Sequence, residues 1–324
     1  MKKLFLIMLA FLLIVSFNSL AAEYPNQDIK MICGYGVGGG CDAITRMISA
    51  TADKLLPTSI YVVNVEGAAS GIGSQEVMDS KPDGYTLGTF YYDSIITVPR
   101  QKLIPTYDLN RLKMICAITS EPDALMVRSD SKWKTIDDLI NDAKARPGEI
   151  TIGTSGVGSG EHISVLMMKK VLGTEFNAIS YPGGSGSRIE ALLSGELDVA
   201  VGSLGDFSAV ISSGKARALV ELSTKRNPAF PDVPNFKELG YEGIERGSFV
   251  IVGAPSETPD EIVNKLEKVF YDAQHSDEFR NWLKSIGVSD TYYGMSEVTE
   301  WAMKYQEEVY KMLDTLVAQG VIKE

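Results

Sequence analysis

Histidine, cysteine and positive charge are the scarce commodities of this chain. Its 324 residues include two histidines, three cysteines and 31 basic residues against 42 acidic ones, for a formal charge of −11. The histidines, His162 and His275, leave little room for hydrolytic chemistry, which needs a nucleophile, a base and an orienting acid to converge. His275 lies in the polar turn Gln274-His275-Ser276 and reads as solvated. Cys33, Cys41 and Cys116 cannot all pair within one chain, and their spacing matches no metal knuckle. One disulfide plus a thiol, or three buried thiols, are both open. The acidic balance excludes nucleic acid and anionic membranes as bulk partners.

One long apolar run is present, and it stands first. Lys2 and Lys3 precede an apolar stretch from Leu4 to Phe17, which is followed by Ser19-Leu20-Ala21-Ala22. That is the charge, core and small-residue order of a secretory signal peptide, with cleavage near Ala22. The run is shorter than the roughly 20 residues a spanning helix needs, and no Cys follows for lipidation. Residues 1–22 therefore read as a leader, and the rest as a periplasmic, exported chain of two ordinary domains.

Within that remainder the element order is strand, glycine loop, helix, and it occurs twice. Ile29 to Cys33 is an apolar strand, Gly34 to Asp42 reads GYGVGGGCD, and Ile44, Met47, Ile48 and Leu55 recur at helical spacing. Glu149 to Gly153, the loop Thr154 to His162 (TSGVGSGEH) and the stripe Ile163, Leu166, Met167 and Val171 repeat the device. Bare backbone N–H groups and a helix N-terminus suit such loops to an anion. Ile60–Val65 and Tyr85–Phe90 read as further strands around a turn at Pro82-Asp83-Gly84. Met114–Thr119 and Ala124–Val127 read as two strands broken by Ser120-Glu121-Pro122-Asp123, where the chain crosses between domains. Thr135 caps a helix that stops before Pro147. Another strand, glycine loop and helix follow at Ala178–Tyr181, Pro182–Ser187 and Arg188–Ser194, and the chain returns near Leu222. Everything beyond reads as mainly helical, with Trp301, Tyr305, Val309, Met312 and Leu316 as the buried stripe of the last helix. The expected fold is α/β, with mainly parallel sheets covered on both faces. Domain 1 is expected at 23–122 plus 223–324 and domain 2 at 123–222, with a ligand cleft between them.

Gly34-Tyr35-Gly36-Val37-Gly38-Gly39 also matches the dinucleotide fingerprint, with Glu66 placed for a ribose. An exported oxidoreductase is thus an alternative, although a nicotinamide cofactor is hard to keep outside the cytoplasm. The phosphate-loop pattern fails, because no Gly-Lys-Ser/Thr follows the glycines.

Several motifs occur together and in order. They are Tyr24-Pro25, Gly38-Gly39-Gly40-Cys41-Asp42, Pro82-Asp83-Gly84-Tyr85-Thr86, Ser155-Gly156-Val157-Gly158-Ser159, Tyr181-Pro182-Gly183-Gly184 and Pro231-Asp232-Val233-Pro234. As a set they resemble the extracytoplasmic receptors of tripartite tricarboxylate transporters, the Bug receptors. The resemblance implies a periplasmic binding protein fold, a solute carboxylate held by the two glycine loops with ordered water, delivery to a membrane permease, no cofactor and no catalysis. A monomer is expected, and a sensor kinase is an alternative recipient.

Carried onto this chain, the implied site comprises Tyr35, Gly38, Gly39, Gly40, Cys41, Asp42 and Tyr91 from the first half. The second half contributes Ser155, Gly156, Gly158, Ser159, His162 and Tyr181. Three departures from the family pattern bear on the ligand. Gly34 and Val37 stand where prolines are usual, which loosens the loop, and Cys41 replaces a threonine, exchanging a hydroxyl donor for a weak thiol one. Phe90-Tyr91-Tyr92-Asp93 follows the third strand where small residues are usual. Glu161 stands before His162, where it repels a second carboxylate or pairs with an amine. These departures point away from a tricarboxylate such as citrate. N-terminal sequencing of the exported product tests the leader, with Ala22 or Glu23 expected as the first residue.

Overall fold

The structure, a computed structural model, describes residues 24–318 except 39, 69, 101, 103, 157–158, 182–184 and 242–245. The leader, Gly39, Gly158 and the third glycine loop at Pro182–Gly184 lie outside the described residues.

The first half opens with β1 (Ile29–Cys33), α1 (Gly40–Asp53), β2 (Ile60–Asn64), α2 (Gly71–Asp79), β3 (Thr86–Tyr91) and the short α3 (Tyr92–Ile95). Then comes the 17-residue β4 (Leu112–Arg128). The chain continues through α4 (Ile136–Ala145), β5 (Thr151–Thr154), α5 (Gly160–Leu172), β6 (Asn177–Ser180), α6 (Ser185–Ser194), β7 (Val199–Ser203), α7 (Ser208–Ser212) and β8 (Ala216–Glu221). It closes with β9 (Gly247–Pro255), α8 (Asp260–Gln274), α9 (Asp277–Ser285) and α10 (Met295–Ala318).

Strand order is β2-β1-β3-β9-β4-β7-β5-β6, with β8 also paired to β4. The flanks are parallel: β1 with β2 and β3, and β5 with β6 and β7. Around β4 and β9 the pairs are antiparallel. The result is a mixed sheet, parallel at its flanks and antiparallel at its centre.

The side chains alternate between faces, as a strand's period of two requires. Met31, Val250 and Val252 join the cluster under α1 and α8, whereas Ile32, Phe249 and Ile251 join the one under α10. In the other half, Leu125, Val127 and Val201 face α4 and α5, and Ala124, Met126 and Ala200 face α6. Both faces are covered in each half, which is why the strands read as near-continuous apolar runs.

Two local readings are corrected here. The break expected at Ser120–Asp123 is absent, and β4 runs straight through it. Pro122 lacks an N–H but lies opposite Gly247 in the ladder, and Asp123 N–H resumes the bonding by donating to Arg246 O at 2.8 Å. The mainly helical remainder opens with β9, a central strand that pairs with both β3 and β4. Its apolar run Phe249–Val252 carries the signal. The expected capping of α4 is present, with Asp138 N–H donating to Thr135 Oγ1 at 3.2 Å and Thr135 N–H donating to the Asp138 carboxylate at 2.9 Å.

β4 and β9 meet most closely where β4 changes partners. Leu112–Pro122 pairs with β9, and Asp123–Arg128 pairs with β7 and β8. A Cβ at Gly247 would lie 2.3 Å from Glu121 O and 2.4 Å from Pro122 Cα, both backbone atoms with no freedom to yield. Gly247→Ala is expected to destabilise the protein by about 1–3 kcal/mol, read as a lower denaturant midpoint with an unchanged slope.

Candidate functional site

Each glycine loop ends in a helix whose first turn faces one cavity of about 530 Å³. Gly40 brings the N-terminus of α1 to its wall, and Ser159 and Gly160 bring that of α5. The α5 end is fixed by Ser159, whose Oγ accepts from His162 N–H at 3.2 Å. Tyr91 and Asp93 stand between the two termini. Tyr91 Oη lies 3.2 Å from where a Cβ on Gly40 would sit, and Asp93 Oδ2 lies 3.4 Å from the same point on Gly160. A side chain on Gly40 would press on Tyr91, whereas one on Gly160 would meet Asp93 at ordinary contact distance. Ser94, Thr97 and Tyr305 complete one side, and Ser155, Gly156, Ser203, Gly247 and Ser248 complete another.

The wall is acidic. Asp93, Glu121, Asp123, Glu161 and Asp206 line it, and no Lys, Arg or His does so among the described residues. Tyr91 Oη donates to Glu121 at 2.9 Å, Ser164 Oγ to Asp123 at 2.5 Å and Ser155 Oγ to Glu161 at 2.5 Å. Behind the wall, the buried Arg188 pairs with Glu161 at 3.2 Å, and the buried Arg246 lies over the Tyr305 ring at 4.5 Å. Burial, followed by the charge of Glu161, pushes the Asp93 and Asp123 carboxyls up to about 7. Burial, followed by Asp206, does the same to Glu121. Asp206 is also raised by burial, with Arg188 opposing.

Of the residues expected at the site, Gly40, Tyr91, Ser155, Gly156 and Ser159 line this cavity. Gly38, Cys41, Asp42, Tyr35, His162 and Tyr181 are not among its lining residues, and Gly39 and Gly158 lie outside the described residues. Cys41 is turned inward, 1 % exposed, with its Sγ directed at Thr89 O. Asp42 is spent on the loop itself. Its carboxylate accepts from Gly38 N–H at 2.9 Å, Asn64 Nδ2 at 2.7 Å and Arg46 Nε at 3.1 Å, and Asn64 also donates to Tyr35 O at 2.8 Å. Burial raises the Asp42 carboxyl, and these donors, Arg46 foremost, outweigh it and hold it below the ordinary range. Tyr35 packs edge-on against Tyr91, with ring centres 5.2 Å apart, and so supports the wall from behind. His162 is buried, and burial lowers its pKa. Tyr181 donates to Glu196 at 3.1 Å.

All three cysteines are buried free thiols, the second of the two open alternatives. The Cys41 thiol hydrogen-bonds to Cys33 and pulls its pKa to about 7. Gly34 has a packing reason rather than a flexible one, since a Cβ there would meet Ser70 Oγ at 1.7 Å. No group of three or more His, Cys, Asp or Glu among the described residues is arranged to hold a metal ion, and no described helix is long and apolar enough to cross a membrane.

Sequence reasoning missed most of the acidic wall. Asp93 and Glu161 were visible as departures from a pattern, but Glu121, Asp123 and Asp206 are isolated acids in unremarkable surroundings. The crossing of β4 with β9 brings Glu121 and Asp123 to the wall, and the turn after β7 brings Asp206 to meet them.

The fold and the cavity together define an α/β solute-binding receptor. Residues 44–318 match the TctC family, the tripartite tricarboxylate transporter family receptor. The chain belongs to that family. It is 31% identical to Protein BugT of Bordetella pertussis over 258 residues, 79% of each chain. It is similar in structure to a TctC solute-binding protein from Polaromonas, with TM-score 0.77 and 27% identity over 89% of this chain and 99% of that one. The same fold is found in MatC from Rhodopseudomonas palustris with bound malate, at TM-score 0.66 and 24% identity, over 90% of this chain and 99% of that one. A further R. palustris protein with adipate has it at TM-score 0.68 and 24% identity, over 92% of this chain and 99% of that one.

Four carboxyls held near 7, three in the wall and the buried Glu221 elsewhere, retain protons that an unfolded chain has already released, so the empty native state binds more protons than the unfolded one between about pH 4 and 7. Stability of the ligand-free protein is therefore expected to fall as pH rises through that window and to level off above it. Thermal unfolding across the range reads this directly, and Glu121→Gln should flatten the slope.

Proposed function

We propose that this chain is an exported receptor that takes a small organic carboxylate into the cavity between its two halves and presents it to the membrane subunits of a tripartite transporter. One observation carries the reading: the N-termini of α1 and α5, from opposite halves of the chain, meet across a single polar cavity. Backbone N–H groups at such termini, with the helix dipole behind them, favour a carboxylate. Malate and adipate in neighbours of the same fold support a solute of this class. Two domains, 23–122 plus 223–324 and 123–222, would close on the solute about the crossing of β4 and β9, and closure is what a permease could read. The family match supports a binding role without turnover. The family match also disfavours the dinucleotide reading of the first loop.

Each helix terminus contributes only about 0.3–2 kcal/mol, whereas micromolar affinity requires about −8 kcal/mol. Other contacts with the cavity wall, together with water expelled on closure, must supply most of the difference.

The test is calorimetric titration of the exported protein with small carboxylic acids and the carboxamide counterpart of each. Tenfold or greater loss on amidation is the expected result, and equal binding of acid and amide removes the carboxylate from the recognition. Gly40→Val, which places a branched side chain against Tyr91 at the start of α1, is expected to cost at least tenfold in affinity with little change in thermal midpoint.

A further inference from the structure

Taking this cavity as the solute site, as proposed above, we propose that the solute also carries a cationic nitrogen, so that the preferred ligand is an aminocarboxylate rather than a plain dicarboxylate. The wall presents five carboxylates, Asp93, Glu121, Asp123, Glu161 and Asp206, and among its described residues no basic side chain. The cations behind it, Arg188 and Arg246, are 2 % and 1 % exposed, and they offset only part of that charge.

The acids are distributed unevenly. Asp93 Oδ2 stands over the first residue of α5, and Glu161 belongs to that helix's first turn, so the dipole there is already faced by the chain's own carboxylates. The α1 terminus also has an acid in its first turn, but Asp42 is turned to Gly38, Asn64 and Arg46 and does not line the cavity, so Gly40 meets the wall under the Tyr91 hydroxyl and is the place for a solute carboxylate. An ammonium at the other end of the same solute meets Asp93.

Asp93 supplies the independent observation. Its Oδ1 is shielded from solvent and has no hydrogen-bond partner among the described residues. Glu121, Asp123 and Glu161 each accept from a Tyr or Ser, whereas this oxygen of Asp93 accepts from none. A buried acceptor without a donor is costly, and a solute N–H would satisfy it. The raised carboxyls agree with this, since burial, followed by neighbouring negative charge, pushes them up in the empty cavity, and a cation entering it favours their ionisation.

The test uses two isosteric series: adipate, ε-aminocaproate and hexamethylenediamine, then succinate, γ-aminobutyrate and putrescine, each titrated calorimetrically into the wild-type protein at about pH 8. The aminocarboxylate is expected to bind at least tenfold more tightly than the dicarboxylate in at least one series. Its affinity should rise between about pH 6 and 8 as Asp93, Glu121 and Asp123 ionise, with Glu161, Asp206, Tyr91 and Tyr305 as the other titratable groups of the wall and Arg188 and Arg246 behind it. Asp93→Asn should erase the preference for the aminocarboxylate while leaving dicarboxylate affinity unchanged or improved. Glu161→Gln, which keeps the shape of the contact with Ser155, should reduce the same preference and serves if the first variant does not fold. A dicarboxylate that binds as tightly as its amino counterpart overturns the cation and leaves the carboxylate reading standing. A diamine that binds most tightly upholds the cation and overturns the carboxylate. No binding by any of the six overturns both.

Discussion

The approach of β9 to β4 at Gly247 is the constraint on which the rest of the molecule depends. Glycine lets backbone meet backbone where Pro122 interrupts the donors of β4, and it is here that β4 passes from one half of the sheet to the other. The cavity is built on this crossing. Glu121 and Asp123 flank Pro122 on β4, and Ser248 follows Gly247 on β9, so a shift of either strand moves three wall groups together. The two glycine loops then bring their helices in from either side. Their positions follow from parallel flanks whose strands deliver successive loops to the same edge, as in open α/β sheets generally.

A cavity made in this way collects charge that local sequence does not balance. Five carboxyl groups from α3, β4, α5 and the turn after β7 converge on one space, and burial, followed by their mutual repulsion, pushes three of them up to about 7. Donors from Tyr91, Ser155 and Ser164, and Arg188 behind the wall, satisfy part of that demand. Family membership and helix termini favour an anion, whereas the lining favours a cation. A solute bearing both charges reconciles the two without asking either end of the cavity to act against its chemistry.

Local rules made much of the fold legible in advance. The repeated strand, glycine loop and helix device, the Thr135 capping box and the apolar stripes of the last helices all depend on residues within a few positions of one another. The misreadings arose where tertiary contact overrides local preference. Ser-Glu-Pro-Asp is a turn by composition, yet it is the middle of a strand because Gly247 and Arg246 lie opposite it. Phe249–Val252 carries a plain apolar signal, but its central place follows only from pairing with two strands more than a hundred residues away. At the site the same division holds. Gly40, Ser155, Gly156 and Ser159 came from the loops, while Asp42 and Cys41, in the same motif, serve the loop's own architecture. Nothing local distinguishes Asp206, which reaches the wall only through the placement of β7.

The most direct measurement is a crystal structure of the exported protein with the solute it retains on purification or acquires from titration. The expected result is a small molecule enclosed between the halves, its carboxylate against the N-terminus of α1 at Gly40 and its other end against Asp93 and the first turn of α5. A bound solute seated elsewhere, with Gly40 and Gly160 facing only water, would contradict the assignment of this cavity as the receptor's binding site.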